Sequence, residues 1–288
     1  MRSVRIAVAL AIPALLVGSL TACSSSSKSS TGSTGTGSGG AAAAAPDLGP
    51  KAALLESAAV MQKAGSANIN ISSSDDSSGA GSGVYAWGGK PTLDLSEQES
   101  GKAIKFRVVN DGSYLGVADG QAAELGGKHW VNLNTAGGSA VGDPFTALAV
   151  LLNPAAELGV AAQNGTLAKV GSEQVAGTAT THYRSSMPAT DLVNQLPNLS
   201  DAQRKAALKV ATDGGSTITT DFWIDGKHQL VQMTEQNSDG SSPSSSGSGD
   251  SVSTIKYTDL GVKVSVSAPA ASDQADPAAA AQLLSSLG

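Results

Sequence analysis

The residue with the clearest potential chemistry is Cys23, the only cysteine in a chain of 288 residues. It directly follows Leu20-Thr21-Ala22 at the end of an apolar run, residues 6–17. Two basic residues, Arg2 and Arg5, precede that run. This order of basic residues, a short apolar segment and small residues predicts a secretory signal over residues 1–22, with cleavage between Ala22 and Cys23.

The tetrapeptide ending at Cys23 resembles the bacterial lipobox, in which the cysteine thiol receives a diacylglyceryl group and becomes the first residue after cleavage. The resemblance implies a lipid anchor, and two acyl chains hold a protein on a bilayer stably whereas one binds only marginally. The apolar run is shorter than the roughly 20 residues of a transmembrane helix. We therefore expect a chain anchored to the extracytoplasmic face of the cell membrane without spanning it. An ordinary signal peptide that happens to contain a cysteine is the alternative.

The charge balance excludes one class of partner. The chain has 18 Lys and Arg against 24 Asp and Glu, and loss of Arg2 and Arg5 with the signal would leave 16 against 24, a net charge of -8. An acidic chain is unsuited to nucleic acid, which binds basic surfaces. Docking on anionic lipid by charge is excluded for the same reason, so attachment to the membrane would depend on the acyl anchor.

Other residues with potential chemistry lack the neighbours that chemistry requires. His129, His182 and His228 lie in strand-like segments without cysteine or carboxylate at metal-ligand spacing. The glycine pattern of residues 81–86 opens no helix, so it does not predict a dinucleotide site. With Cys23 acylated there is no cysteine nucleophile, and the many serines have no arranged base. We expect no metal, no cofactor and no enzymatic activity.

Composition divides the rest of the chain. Residues 23–50 form a Gly/Ser/Ala-rich segment that predicts a flexible linker reaching about 30 Å. Residues 51–269 have the patterning of one folded domain, within which the polar stretch 238–250 predicts a disordered loop. The Ala-rich residues 270–288 predict a C-terminal tail, either loose or with a short helix near residues 282–287.

Within the domain, the pattern predicts about ten or eleven strands in hairpin order with a few helices between them. A helix is predicted over residues 51–64, and Gly65 is a fitting stop. Asp111-Gly112 and Asp225-Gly226 indicate tight hairpins, and residues 262–267 read as the strand that closes the sheet. This order predicts an α+β fold with an antiparallel sheet.

Four short motifs carry a resemblance to a family. They are Lys63-Ala64-Gly65-Ser66 with the strand after it, the segment 175–183, Phe222-Trp223-Ile224-Asp225-Gly226, and the segment 258–266. In this order and spacing they resemble the LppX/LprG-type lipoproteins of actinobacteria, over most of residues 51–269. The resemblance implies a LolA-like fold, a strongly curved antiparallel half-barrel wrapped around helices, with an apolar cavity. It also implies a lipid or glycolipid ligand that is transferred or retained in the envelope.

The strand patterns bear on that cavity. In Phe222-Trp223-Ile224 the apolar side chains fall on both faces of a strand, and a sheet with one wet face needs only one apolar face. The extra apolar positions require cover by helices, by a partner or by a ligand's hydrocarbon. A sheet filled by its own side chains would instead make the chain a non-carrier interaction or signalling module with an unidentified protein partner. The candidate cavity residues, for each of which core packing is the alternative, are Trp87, Phe106, Trp130, Phe222, Trp223, Ile224 and Met233.

Overall fold

The computed structural model describes residues 49–74, 80–99, 102–136, 139–197, 199–212, 215–238 and 252–286. The predicted signal, Cys23, nearly all of the linker and most of the predicted loop 238–250 lie outside these residues. Within the described part, the chain folds into one sheet of eleven strands with eight α-helices and two short 3₁₀ helices.

The strands are β1 (Ser66–Ser73), β2 (Gly81–Ala86), β3 (Thr92–Glu99), β4 (Lys102–Val109), β5 (Gly112–Gly116), β6 (Trp130–Asn132), β7 (Thr166–Val175), β8 (Thr178–Pro188), β9 (Thr217–Asp225), β10 (Leu230–Ser238) and β11 (Val252–Thr258). The helices are α1 (Pro50–Ala64), α2 (Asp119–Ala122), α3 (Leu133–Ala136), α4 (Ser139–Leu151), α5 (Pro154–Asn164), α6 (Ala189–Gln195), α7 (Asp201–Thr212) and α8 (Pro277–Ser286). The 3₁₀ helices are Ala123–Leu125 and Ala271–Asp273.

The sheet is made of two meanders that join at its centre. The strand order is β6-β5-β4-β3-β2-β1-β11-β10-β9-β8-β7, and every pair of neighbouring strands is antiparallel. We call β1–β6 the N-terminal arm and β7–β11 the C-terminal arm. The arms meet where β1 pairs with β11, and β6 and β7 are the two edges. The predicted α+β class with an antiparallel sheet in hairpin order is confirmed.

One face of this sheet is covered by helices, and we call it the inner face. Side chains alternate between the faces along a strand, and directly paired residues share a face. Tyr183 on β8 pairs with Phe222 on β9, and Phe222 pairs with Met233 on β10, so all three side chains lie on the inner face. A register shift in β10 between Leu230 and Gln232 turns Leu230 inward as well as Met233. This irregularity explains why apolar residues fall on both registers of β10.

Local sequence signals set the ends of the main helices. Pro50 starts α1, and Gly65 ends it in the left-handed conformation, with its N–H bonded to the carbonyl of Met61, as expected of a C-terminal glycine. The side chain of Asn153 caps α5 by accepting hydrogen bonds from the N–H groups of Ala155 and Ala156.

The hairpin turns differ in detail from the sequence prediction. The two-residue turn between β4 and β5 is Asn110-Asp111, one residue earlier than predicted, and both residues have positive φ values of 53° and 64°, as a type I′ turn requires. The loop after β9 is longer than a tight hairpin because β10 begins only at Leu230. There the Asp225 carboxylate accepts hydrogen bonds from the N–H groups of Lys227 and Gln229.

One prediction for the C-terminal region is wrong. Residues 262–267 form no strand, because both edges of β1 and β11 are already paired and no neighbouring edge is free at the centre. Of the two alternatives for the C-terminal segment, residues 270–286 follow the helical one, with a helix that begins earlier than predicted. They form a 3₁₀ turn and the ten-residue helix α8, which buries Ala280 and Leu283.

Candidate functional site

The inner face is apolar across both arms of the sheet. Its side chains belong to the same hydrophobic core as those of α1, α4, α5 and α6. On the N-terminal arm the buried members are Ala67, Ile69, Tyr85, Leu93, Leu95, Phe106, Val108 and Val131, and on the C-terminal arm they are Tyr183, Met187, Ile218, Phe222, Ile224, Leu230, Met233, Ile255 and Tyr257. The face is therefore one apolar layer with the helices as its cover.

Five of the seven candidate cavity residues belong to this buried layer. They are Trp87, Phe106, Phe222, Ile224 and Met233. Phe222 and Met233 have no exposed surface. Trp87 lies at the end of β2, with its ring 5.4 Å from that of Tyr85 and 6.3 Å from that of Tyr257.

The other two candidates, Trp130 and Trp223, lie on the opposite, outer face. Trp223 pairs with His182 and Gln232, and it stands between the inward Phe222 and Ile224. Trp130 pairs with Gly116 on β5. Strand alternation cannot place three consecutive residues on the same face, so this placement does not fit a cavity-lining role for either tryptophan.

Charged side chains cover Trp223 on the outer face. Its ring stacks on the imidazole of His182 with 4.4 Å between centroids and 18° between planes. Its indole N–H donates to Glu173 Oε2 at 2.9 Å. His182 lies 2.8 Å from Glu173 and 2.7 Å from Asp221, and Arg184 donates two hydrogen bonds to Asp221. The hydrogen bonds from Trp223 and His182 lower the pKa of Glu173.

Trp130 has a similar cover on the other arm. The guanidinium of Arg107 lies 4.6 Å from the ring centroid, the geometry of a cation–π contact. Arg107 also donates two hydrogen bonds to Asp94 and one to the carbonyl of Ser267. Side chains of this chain thus cover Trp130 and Trp223, so neither tryptophan requires a partner or a ligand to shield it from water.

The helices make direct polar contacts with the inner face. The Tyr85 hydroxyl donates to the Ala149 carbonyl of α4 at 2.5 Å, and the hydroxyls of Ser113 and Thr146 lie 3.0 Å apart. The Phe106 ring packs against Phe145 of α4 with 4.9 Å between centroids. In this structure, protein atoms of α4 therefore occupy the space in front of the N-terminal arm.

A row of polar groups crosses the inner face of the C-terminal arm, and the sequence analysis did not identify it. Register places Ser185, Thr220 and Glu235 side by side on β8, β9 and β10. The carboxyl group of Glu157, from α5, lies against Glu235 and Thr220. Glu157 is 1% exposed, and within the described residues neither of its carboxyl oxygens nor the Ser185 hydroxyl has a hydrogen-bond partner of regular geometry.

Burial dominates the electrostatics of this row. It raises the pKa of Glu157 well above the ordinary value, and the neighbouring charge of Glu235 raises it further. Burial also raises the pKa of Glu235 and of Tyr257. Two adjacent carboxyl groups cannot both ionise as readily as isolated ones, so the contact between Glu157 and Glu235 favours protonation of the pair. The available sequence signal was a single carboxylate in the otherwise uncharged helix α5.

Other features of the described residues are limited. A hollow of about 230 Å³ is lined by Glu124, Ala279, Gln282 and Leu283, away from the inner face and smaller than the ~300 Å³ at which small-molecule pockets begin.

No group of three or more His, Cys, Asp or Glu side chains in the described ranges could hold a metal ion. No single described helix has the length and apolarity to cross a membrane, although the bent pair Phe145–Leu151 and Pro154–Asn164 meets both conditions jointly.

Comparison with known proteins finds relatives in Streptomyces. No family model matches the chain. A 31.2 kDa protein from the rplA-rplJ intergenic region of Streptomyces griseus is 35% identical over 182 residues, which is 60% of this chain and 56% of that protein. A protein of Streptomyces coelicolor named as a candidate lipoprotein is 27% identical over 195 residues, 65% of this chain and 56% of that protein. The chain thus matches about half the length of these curated relatives.

Among solved structures, the chain is similar to LprF from Mycobacterium bovis and to the lipoprotein LppX of Mycobacterium tuberculosis. LprF has a TM-score of 0.49 at 15% identity, covering 77% of this chain and 97% of LprF. LppX has a TM-score of 0.45 at 16% identity, covering 75% of this chain and 98% of LppX. LprF and LppX are proteins of the type that the sequence motifs resemble. The fold class itself rests on the strand order described above.

Proposed function

We propose that this chain is a lipid-anchored protein of the cell envelope that holds an apolar ligand, a lipid or glycolipid, between the inner face and its helices. The anchor is the acylated Cys23, and the folded domain stands off the extracytoplasmic face of the membrane on the linker 23–50. The ligand is held for transfer between membranes or for retention.

Sequence features support the anchor. The basic residues, apolar run and Leu20-Thr21-Ala22-Cys23 order are those of a lipoprotein signal. A sequence relative in Streptomyces coelicolor carries the lipoprotein name. The acidic balance of the chain leaves no other evident means of attachment to anionic lipid.

The observation that carries the ligand proposal is the largely apolar inner face, which spans both arms, is crossed by the polar row of Ser185, Thr220 and Glu235, and is covered by short helices. Much of the helix surface in that core is alanine, including Ala147, Ala149, Ala155, Ala161 and Ala162. Alanine buries little area per residue, and an acyl chain gains about 0.8 kcal/mol for each CH₂ removed from water. A long acyl chain can therefore replace part of the helix cover without a specific polar contact.

One observation favours the second candidate, an interaction or signalling module with a filled core. Phe222 and Met233 have no exposed surface, and α4 already packs on Phe106. Ligand entry therefore requires displacement of helices from the inner face. A chain whose helices never leave the sheet would act through its outer surface.

The anchor is tested by labelling with a radioactive or clickable palmitate analogue in an actinobacterial host. The native chain is expected to incorporate the label and to sediment with membranes. The Cys23→Ser chain is expected to lose both properties because serine has no thiol to form the thioether. Labelling of the Cys23→Ser chain, or an unlabelled native chain, would disprove the anchor at this residue.

The positions of the three tryptophans allow a direct test of the ligand site. A chain that keeps only Trp87 (Trp130→Phe, Trp223→Phe) reports on the inner face, and a chain that keeps only Trp223 (Trp87→Phe, Trp130→Phe) reports on the outer face. Phospholipid or glycolipid with bromine in mid-acyl chain quenches tryptophan fluorescence at contact. We expect strong quenching of Trp87 and little quenching of Trp223.

The same experiment separates the two candidate functions. The filled-core module predicts quenching of neither tryptophan, and organic extraction of such a chain followed by mass spectrometry would yield no bound lipid. Equal quenching of Trp87 and Trp223 would indicate adsorption on the outer surface and would also contradict the proposed site.

A further inference from the structure

The carboxyl groups of Glu157 and Glu235 meet between two parts of the molecule that must separate if a ligand is to reach the inner face. Glu157 belongs to α5, which packs on α1, α6 and the strands β7 and β8. Glu235 belongs to β10 of the sheet. A carboxylic acid facing a carboxylate can donate a hydrogen bond, whereas two carboxylates repel each other. The protonation state of the pair therefore changes the sign of the interaction between α5 and the sheet.

We propose that Glu157 and Glu235 form a proton-dependent latch that holds α5 on the inner face, and that loss of the shared proton releases α5 and opens the interior. The role in ligand entry rests on the proposed function, but the latch itself can be tested without any ligand. Its geometry comes from the burial of Glu157, its contact with Glu235 and the absence of a regular hydrogen-bond donor to it among the described residues.

No described cation offsets a second negative charge at this position. The groups that face the pair are the Thr220 and Ser185 hydroxyls of the sheet, with the Tyr257 and Tyr85 rings beyond them. The charged residues of the elements packed on α5 are exposed in α1 (Lys51, Glu56 and Lys63), in α6 (Asp191) and in β7 (Lys169 and Glu173), as is Arg184 of β8. His182 of β8 is buried, but it lies on the outer face beside Glu173 and Asp221. Ionisation of both carboxyl groups would thus be relieved only by hydration, which requires α5 to move.

The chain around α5 is built for such a movement. The connection from α4 to α5 is two residues, Leu152-Asn153, and the axes of the two helices meet at 64°. The buried side chains of α5 are mostly small, with Leu158 the largest apolar one. Departure of the helix therefore exposes a modest area, which the hydrocarbon of a ligand would cover.

The sign of the pH effect follows from the raised pKa values of both carboxyl groups. A group whose pKa is higher in the folded state stabilises that state fully below its unfolded pKa. This stabilisation is lost as the pH rises towards the folded pKa. The latch is therefore closed at low pH and weakens as the pH rises towards the raised pKa values of the pair, by up to tenfold in the opening equilibrium for each pH unit and proton.

Hydrogen exchange of the full chain in detergent micelles tests the latch directly. Amides of α5, corrected for the intrinsic pH dependence of exchange, are expected to lose protection by up to tenfold per pH unit between about pH 6 and 9. The Glu157→Gln chain keeps a neutral side chain of the same size at every pH. Its α5 protection is expected to stay at the wild-type low-pH level across the range.

Two further chains keep the test decisive. Glu235→Gln removes the same repulsion from the sheet side and should give the same flat profile, even if Glu157→Gln folds poorly. Glu56→Gln removes an exposed carboxylate from α1 and should keep the wild-type profile. A wild-type α5 with pH-independent protection, or a Glu157→Gln or Glu235→Gln chain that retains the wild-type profile, overturns the latch.

The link to the ligand has its own measurement. The rate at which brominated lipid quenches Trp87 is expected to rise with pH in the Trp87-only chain and to become pH-independent after Glu157→Gln. Absence of quenching at every pH, with α5 protection still pH-dependent, would refute the proposed function and leave the latch standing. Quenching at a pH-independent rate in both chains would support the ligand site and refute the role of the latch in entry.

Discussion

On the outer face of the sheet, neighbouring polar side chains cover the two tryptophans that lie there. Trp223 and Trp130 occupy positions where a sheet would otherwise present hydrocarbon to water. Trp223 is stacked on His182 and bonded to Glu173, and Trp130 is covered by Arg107. In both cases the flat face of the covering group lies on the ring while its nitrogens are hydrogen-bonded to neighbouring carboxylates. Apolar residues on both registers of a strand therefore do not by themselves indicate a ligand.

Gly83 in β2 is a residue whose identity the packing dictates. A Cβ at this position would lie 1.9 Å from the backbone oxygen of Asp94 on β3, far inside any allowed contact. Gly83→Ala is expected to lower the free energy of unfolding by about 1–3 kcal/mol, the usual range for overpacking, as measured by urea denaturation.

Gly89, in the turn between β2 and β3, is the matched control because a Cβ there would meet nothing within 4 Å. Gly89→Ala is expected to change the free energy of unfolding by less than about 0.5 kcal/mol. Equal effects of the two substitutions would show that the close approach of β2 and β3 is not present in solution.

At the scale of elements, the C-terminal segment protects an edge of the sheet. The edge strand β6 has its Trp130 carbonyl bonded to the Ala275 N–H at 2.8 Å, and the backbone N–H and ring of His129 contact Asp273. Beyond this segment α8 packs against α3, β6 and the 3₁₀ helix Ala123–Leu125. Exposed edge strands invite pairing with other chains, and residues 270–286 cover this one.

A chain that ends at residue 269 tests this role. Loss of the buried Ala280 and Leu283 is expected to lower the free energy of unfolding by about 2–4 kcal/mol. The freed edge of β6 should also raise the tendency to self-associate. Chemical denaturation and analytical ultracentrifugation measure the two effects, and Lys263→Ala, an exposed change just before the truncated segment, is the control.

The contact between His129 and Asp273 adds a pH dependence to this segment. Hydrogen bonds from His129 lower the pKa of Asp273, so the contribution of Asp273 to stability is present above the ordinary pKa of an aspartate and is lost as the pH falls through the lowered value.

A truncated chain that is as stable and as monomeric as the full one would show that residues 270–288 are a tail after all.

For the whole molecule, the important feature is that the first and last strands pair at the centre of the sheet. Each arm is a meander of local hairpins, and the pairing of β1 with β11 joins them into one apolar layer. A ligand on this layer would contact strands from both ends of the chain. Folding of the domain therefore depends on this central pair of strands, and under the proposed function ligand uptake and retention would depend on it too.

Much of this architecture was predictable from local patterns. Strand alternation, Gly65 as a helix stop and the order of hairpins are properties of neighbouring residues, so the class of fold follows from them. Alternation also fixes that Phe222 and Ile224 share a face and that Trp223 does not, but it cannot say which face the helices cover. Residues 262–267 have a strand-like sequence, but they form no strand because both edges of β1 and β11 are already paired.

The sequence by itself determined the predicted anchor at Cys23, the acidic character of the chain and the antiparallel α+β class, because these depend on composition and short-range order. The tertiary structure alone decided the inner and outer faces, the ordered C-terminal segment and the contact of Glu157 with Glu235. The physical reason is that burial is set by contacts between distant parts of the chain. A carboxyl group in α5 and one in β10 come into contact only when the fold brings the helix onto the sheet.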